Sequence, residues 1–181
     1  VRFLDIGEAE ELLDVGGGPG TYSVLLAGLH PRLRPTVLDV PGVIRWTRVL
    51  VADAGLAERV QTIPGDGKLG EYGEDRWDAI LFSGVLHQMS EETILRMFRG
   101  AFRALRSGGA VIVSDVMRDS SGAGPLFATL FSLQMLLTTD EGAVFRSDDC
   151  AAWLTDTGFV ATTITPLPPP LPYVVVRGLK P

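Results

Sequence analysis

The sequence predicts an α/β protein built on a doubly wound, parallel sheet with helices on both faces. Three observations predict it. Short apolar runs alternate along the chain with longer segments of helical periodicity. One such run ends abruptly at Gly16-Gly17-Gly18-Pro19-Gly20, and a helical pattern of Tyr22, Val24, Leu25 and Leu26 follows directly. Residues Trp77 to Phe82 form an apolar run broken only by Asp78, as expected of a central strand covered on both faces. Strands alternating with helices are accommodated by parallel strands with crossover helices between them.

Taken in order, residues 1 to 10 form an approach segment, and the first strand spans about Glu11 to Val15. The first helix runs from about Pro19, a favourable first-turn residue, to Leu29. His30 then meets the helix dipole and solvent. Pro35 to Val40 is the second strand. Val43 to Ala54 is a helix with Trp46, Val49, Leu50 and Ala54 on one face, and Val60 to Ile63 is the third strand. After the strand at Trp77 to Phe82, Ser90 starts a helix whose buried stripe is Ile94, Phe98, Ala101, Phe102 and Leu105, stopped by Gly108 and Gly109. Ala110 to Val113 is the fifth strand. Leu126 to Leu137 is helical, and its stripe of Phe127, Phe131, Met135 and Leu136 reads as core rather than pocket. Ser147 caps a short helix through Leu154. Phe159 to Thr165 and Tyr173 to Arg177 are the last strands, joined by the stiff connector Leu167-Pro-Pro-Pro-Leu-Pro172.

Composition narrows the function. With 181 residues, 46% of them hydrophobic, the chain suits one domain with a substantial core. A net charge of −6 disfavours nucleic acid or an anionic membrane as the main partner, and a small molecule fits better. No apolar run approaches the roughly 20 residues of a membrane span, and the first residues are not a signal peptide. A cytoplasmic protein is expected. The lone Cys150 reads as a buried small residue, no Cys/His cluster suggests a metal, and the opening Val1 implies a fragment or a processed chain.

The glycine turn is the chemical focus. Glycines allow backbone to turn sharply or to lie against a ligand, and free N–H groups at the following helix attract an anionic group. The pattern is G-x-G-x-G at Gly16, Gly18 and Gly20. A dinucleotide fingerprint would need a glycine where Thr21 stands, and a phosphate-cradling P-loop would need a Gly-Lys-Ser/Thr that does not follow. Asp39 ends the second strand about 20 residues on, the distance at which a βαβ unit brings an acid beside the first turn, able to accept from two ribose hydroxyls. A solvated loop aspartate is the plain alternative. Gly65-Asp66-Gly67 could hold an adenine amine at a strand end, and it serves equally as an ordinary turn.

As a set, Leu-Asp-Val-Gly-Gly-Gly-Pro-Gly at 13–20, Leu-Asp-Val-Pro-Gly-Val-Ile at 38–44, Gly-Asp at 65–66, Trp-Asp-Ala-Ile-Leu at 77–81 and Val-Leu-His at 85–87 resemble a known family. They look like the catalytic domain of class I S-adenosylmethionine-dependent small-molecule O-methyltransferases, related to caffeate, hydroxyindole and polyketide-tailoring enzymes. The resemblance implies a Rossmann-like methyltransferase fold, with a seven-stranded, mostly parallel sheet and an antiparallel last strand. It places Gly16, Gly17, Gly18 and Gly20 at the methionine end of the cofactor, Asp39 and Val40 at the ribose, and Asp66 and Gly67 at the adenine. Ser83 matches a position of further cofactor contact. His87 matches the general base and Asp115 the acid that positions it. Met135, Leu136 and Asp140 would border a small aromatic or polyketide-like substrate. No metal is implied.

The chain departs from that pattern at two places. Gln88-Met89 replaces the Asp-Trp that many members carry after the histidine, and Phe145 stands where many have a second acid, so support of His87 rests on Asp115. The family's N-terminal winged-helix region, which forms its homodimer and roofs its pocket, is not in these residues. A homodimer through that region is therefore expected of the longer protein. Two other functions stay open from sequence: a fold relative that binds the same cofactor for hydroxylation or decarboxylation, and a non-catalytic binding module.

Overall fold

The computed structural model describes residues 1 and 3–181. Seven strands form one sheet: β1 (Glu11–Val15), β2 (Arg34–Asp39), β3 (Gln61–Pro64), β4 (Trp77–Ser83), β5 (Leu105–Val116), β6 (Val160–Pro166) and β7 (Tyr173–Leu179). The order is β3-β2-β1-β4-β5-β7-β6, with β7 antiparallel to both neighbours and the β3-to-β5 pairings parallel. The doubly wound sheet with an antiparallel last strand is thus observed. Among the described residues five α-helices flank it: α1 (Thr21–Leu29), α2 (Pro41–Asp53), α3 (Glu91–Ala104), α4 (Leu126–Thr138) and α5 (Ser147–Thr157). Among the described residues no helix is long and apolar enough to cross a membrane.

The core is layered as strand alternation dictates. Leu13, Val15, Ile80, Phe82, Val111 and Val113 face α3 and α5, while Leu12, Ala79, Leu81 and Ile112 face Leu26 of α1 and the approach segment. The α3 stripe of Ile94, Met97, Phe98 and Ala101 is fully buried, and Ser90 caps the helix by accepting the Thr93 N–H at 3.4 Å.

Several element boundaries and faces differ from expectation. Gly20 adopts φ +79 immediately before α1, so Pro19 belongs to the turn and not to the helix. Pro41, not Val43, opens α2, because Val40 is extended and already outside the strand. The α2 face is the larger correction: Ile44, Thr47 and Val51 are buried, whereas Trp46, Val49 and Leu50 are exposed. Both stripes have helical spacing. The buried stripe packs Ile44 and Val51 with Ala27, Val37 and Val60, and on the same face the Thr47 hydroxyl donates to the Gly18 carbonyl at 2.6 Å. Helix α3 ends at Ala104, and Gly108 and Gly109 lie inside β5 near a register irregularity opposite Trp77. Arg146, not Ser147, precedes α5 as its cap. Finally, α4 is not core: Ala128 and Met135 are buried, but Leu126, Leu130, Leu133, Leu136 and Leu137 are exposed. That helix is apolar all round and lies against a small satellite cluster of Val116 and Val144.

Candidate active site

The carboxyl ends of β1, β2, β4 and β5 share one edge, where the strand order passes from β1 to β4, and open α/β sheets bind ligands at such a reversal. At the tip of β1 the chain turns through Gly16, Gly18 and Gly20, all with positive φ. A Cβ on Gly16 would lie 2.8 Å from Val85, and one on Gly67 would lie 2.7 Å from Val15. Any side chain there would fill the cradle between strand tips.

Asp39 is aimed in advance. Its Oδ2 accepts the Gly18 N–H at 2.9 Å and its Oδ1 accepts the Val40 N–H at 2.7 Å. Across the crevice, Asp66 is exposed and accepts the Lys68 N–H at 2.9 Å. The Tyr72 hydroxyl donates to the Gly67 carbonyl at 2.6 Å. Burial, and then the Asp66 carboxylate, push the Tyr72 pKa above its ordinary range, so it stays a donor. Between these groups lies a cleft of about 270 Å³ lined by Gly16, Asp39, Asp66, Gly67, Val85 and Met89. Ser83, at the tip of β4, buries its Oγ without a partner among the described residues. Val40 is exposed at the cleft edge, and Gly17 and Gly20 shape the turn behind it.

His87 sits on a single 3₁₀ turn, Leu86–Gln88, beyond β4. Its Nδ1 is 2.8 Å from Asp115 Oδ1 at the end of β5. Asp115 is almost fully buried, and it also accepts the N–H groups of Leu86 (2.9 Å), His87 (3.3 Å) and Val116 (2.8 Å). So held, Asp115 Oδ1 accepts the proton of Nδ1 and leaves Nε2 with its lone pair, a tautomer assigned from the hydrogen-bond pattern. The Phe131 ring meets the imidazole edge-on at 5.0 Å. Phe145 packs against Trp153 and lines the gap beside the pair together with Cys150. Burial, then Asp115, raises the Cys150 pKa, which makes the thiol inert.

The glycine turn, Asp39, Asp66, Gly67, His87 and Asp115 are therefore gathered on one sheet edge. Met135, Leu136 and Asp140 are not gathered with one another. Met135 points into the satellite cluster, while Leu136 and Asp140 are exposed.

Sequence reasoning missed Asp14. This acid is fully buried behind the turn, accepts the Ser23 hydroxyl at 2.7 Å, and leaves Oδ1 without a partner among the described residues. A Cβ on Gly17 would lie 2.7 Å from its carboxyl group. Burial raises its pKa to about 6 against the lowering Ser23 bond, with the Asp39 charge adding to the rise. The legible signal was an acid inside an apolar strand, two residues before the first glycine of the turn. Thr47 and Tyr72, which brace Gly18 and Gly67, carried no such signal.

Comparison with known proteins identifies the family of the chain. Residues 1–160 match the family described as "O-methyltransferase domain". The 3-hydroxy-5-methyl-1-naphthoate 3-O-methyltransferase of Streptomyces sahachiroi is 31% identical over 177 residues, covering 98% of this chain and 51% of that protein. Aclacinomycin 10-hydroxylase RdmB of Streptomyces purpurascens is 38% identical over 133 residues, 73% of this chain and 35% of that protein. The crystal structure of the S-adenosylmethionine-dependent methyltransferase SibL in its apo form superposes with a TM-score of 0.89 at 36% identity, covering 99% of this chain and 52% of that one. The chain spans about half the length of the curated relatives it matches. With a family match over most of its residues and the same Rossmann-like sheet, this chain belongs to the O-methyltransferase domain family.

Proposed function

We propose that the chain is the catalytic domain of an S-adenosylmethionine-dependent O-methyltransferase acting on a hydroxyl of a small aromatic or polyketide-like molecule. The single observation that carries this reading is the His87–Asp115 pair beside a nucleoside-sized cleft. The cofactor fits the residues present. Gly16 and Gly67 leave no room for a Cβ against Val85 and Val15, so bare backbone lines the cleft there, and Asp39 is oriented for a ribose diol before any ligand arrives. When bound, S-adenosylmethionine supplies an electrophilic methyl group.

The protein's own task is the proton. A phenol with a pKa near 10 is ionised about one part in a thousand at neutral pH, a deficit of about 4 kcal/mol. His87 takes that proton at Nε2 while Asp115 compensates the charge arising on the imidazole. A positioned base contributes about 10²- to 10⁴-fold, and holding the acceptor oxygen in line contributes several kcal/mol more, on the order of 7–11 at best. Val85 and Phe131 keep the surroundings apolar, so these charges act in a low dielectric. The naphthoate 3-O-methyltransferase similarity supports an aromatic hydroxyl as the acceptor.

The test is His87→Ala in the full chain. Affinity for S-adenosylhomocysteine should stay within about twofold by calorimetry, while transfer of a labelled methyl group to a phenol falls about 10²-fold or more. Unchanged transfer would overturn the base role. The hydroxylase similarity favours a second reading, cofactor-assisted chemistry without methylation. Label that stays with the cofactor while the acceptor is converted would select it.

A further inference from the structure

The buried stripe of α2 holds one polar residue. Ile44, Thr47 and Val51 are covered, and Thr47 has no exposed surface. A buried hydroxyl needs an acceptor, and a threonine inside a helix can find one on its own helix, four residues back. That acceptor is present, since Thr47 Oγ1 lies 3.2 Å from the Val43 carbonyl oxygen. The shorter bond nevertheless leaves the helix, to the Gly18 carbonyl at 2.6 Å. Among the described residues no other side chain of α2 donates to the glycine turn. The second branch of the same β-carbon is used as well. A Cβ on Gly20 would lie 3.2 Å from the Thr47 methyl carbon, with Val51 and Val37 next nearest, so the methyl packs beneath the turn while the hydroxyl holds it.

Gly18 is engaged at both of its backbone polar groups. Its carbonyl accepts from Thr47, and its N–H donates to Asp39 Oδ2 at 2.9 Å. Asp39 ends β2, and α2 opens at Pro41. The contacts therefore close a ring: the chain runs from Asp39 through about two turns of α2 to Thr47, Thr47 reaches Gly18, and Gly18 returns to Asp39. Gly18 has φ +56, and a Cβ there would meet nothing within 4 Å, so these hydrogen bonds rather than packing fix its orientation. Of the three residues, Asp39 is the one that lines the cleft.

We propose that Thr47 is a positioning residue for the cofactor. Its hydroxyl holds the Gly18 carbonyl, which keeps the Gly18 N–H on Asp39 and the carboxylate aimed into the cleft. A ligand that meets an acid already in place loses no affinity to ordering it. The cofactor's affinity thus depends on a buried side chain that does not touch it. The assignment rests on the S-adenosylmethionine reading of the cleft.

The test separates the two branches of the side chain in the full chain. Thr47→Val keeps the buried methyl and removes the donor, whereas Thr47→Ser keeps the donor and removes the methyl. By calorimetry, Thr47→Val should weaken S-adenosylhomocysteine binding about fivefold or more. Thr47→Ser should bind within about twofold of the wild type, although the lost methyl lowers its urea midpoint. Without ligand, the Gly18 amide proton should exchange about fivefold faster in Thr47→Val and at the wild-type rate in Thr47→Ser. A purely structural threonine would make affinity follow the urea midpoint in both variants. Wild-type affinity or wild-type Gly18 exchange in Thr47→Val, or a serine variant that loses as much affinity as the valine one, overturns the proposal. A wild type that ignores S-adenosylhomocysteine sinks the cofactor reading and this proposal with it, whereas tight binding unchanged by Thr47→Val sinks the proposal alone.

Discussion

Asp115 Oδ1 lies 2.8 Å from His87 Nδ1, and its Oδ2 accepts the N–H of Leu86 at 2.9 Å. One buried carboxylate therefore orients the imidazole and also anchors the 3₁₀ turn that carries it. The strands supply this economy. Asp115 ends β5 and His87 follows β4, its hydrogen-bonded neighbour, so two residues 28 apart in sequence meet through one ladder.

Asp115→Asn should therefore lower kcat about 10²-fold and leave S-adenosylhomocysteine affinity within about twofold. An amide cannot balance an imidazolium, and its NH₂ faces either Nδ1 or the backbone donors. Steady-state kinetics and calorimetry on the same preparation check this. A loss seen in KM with kcat intact would mean that the carboxylate serves binding only.

The Asp14 carboxyl is raised from 3.8 to about 6 in the folded chain, burial being the largest cause. A folded-state value above the unfolded one means that the folded chain holds the proton more tightly. Its stabilising contribution is complete below about pH 4, declines as pH rises through the window to 6, and is gone above it. Asp14→Asn should flatten that window and raise stability at pH 7.5 by up to about 3 kcal/mol. Urea midpoints measured from pH 4 to 8 give the comparison.

Gly100 of α3 packs directly on Gly70, whose carbonyl oxygen and Cα occupy the space a side chain would need. Gly70 itself has φ +69 and closes the turn after Lys68, so it cannot readily step aside. Gly100→Ala should destabilise the chain by about 1–3 kcal/mol, despite alanine's better helix propensity. Chemical denaturation measures this, and the turn carrying Asp66 and Gly67 should loosen with it in hydrogen exchange.

What the sequence by itself determined was the sheet and its glycine turn. Short apolar runs, a buried run at Trp77 to Phe82 and glycines at fixed offsets are local signals, and each produced the element expected of it. The motif spacing also brought Asp39, Asp66, His87 and Asp115 into view as residues ending or following strands. The α3 stripe of Ile94, Phe98 and Ala101 was legible too, but only the tertiary structure decided which faces α2 and α4 bury. In α2, two stripes had equal periodicity, and the buried one, without Trp46, meets Val37 and Val60 and makes the Thr47–Gly18 hydrogen bond across 29 residues. In α4, apolar residues surround the whole helix, so periodicity could select no face and packing left most of them exposed. The burial of Asp14, the brace from Tyr72 and the Phe131–His87 contact belong to the same class. They depend on contacts between segments far apart in the chain, whose energies no local window contains.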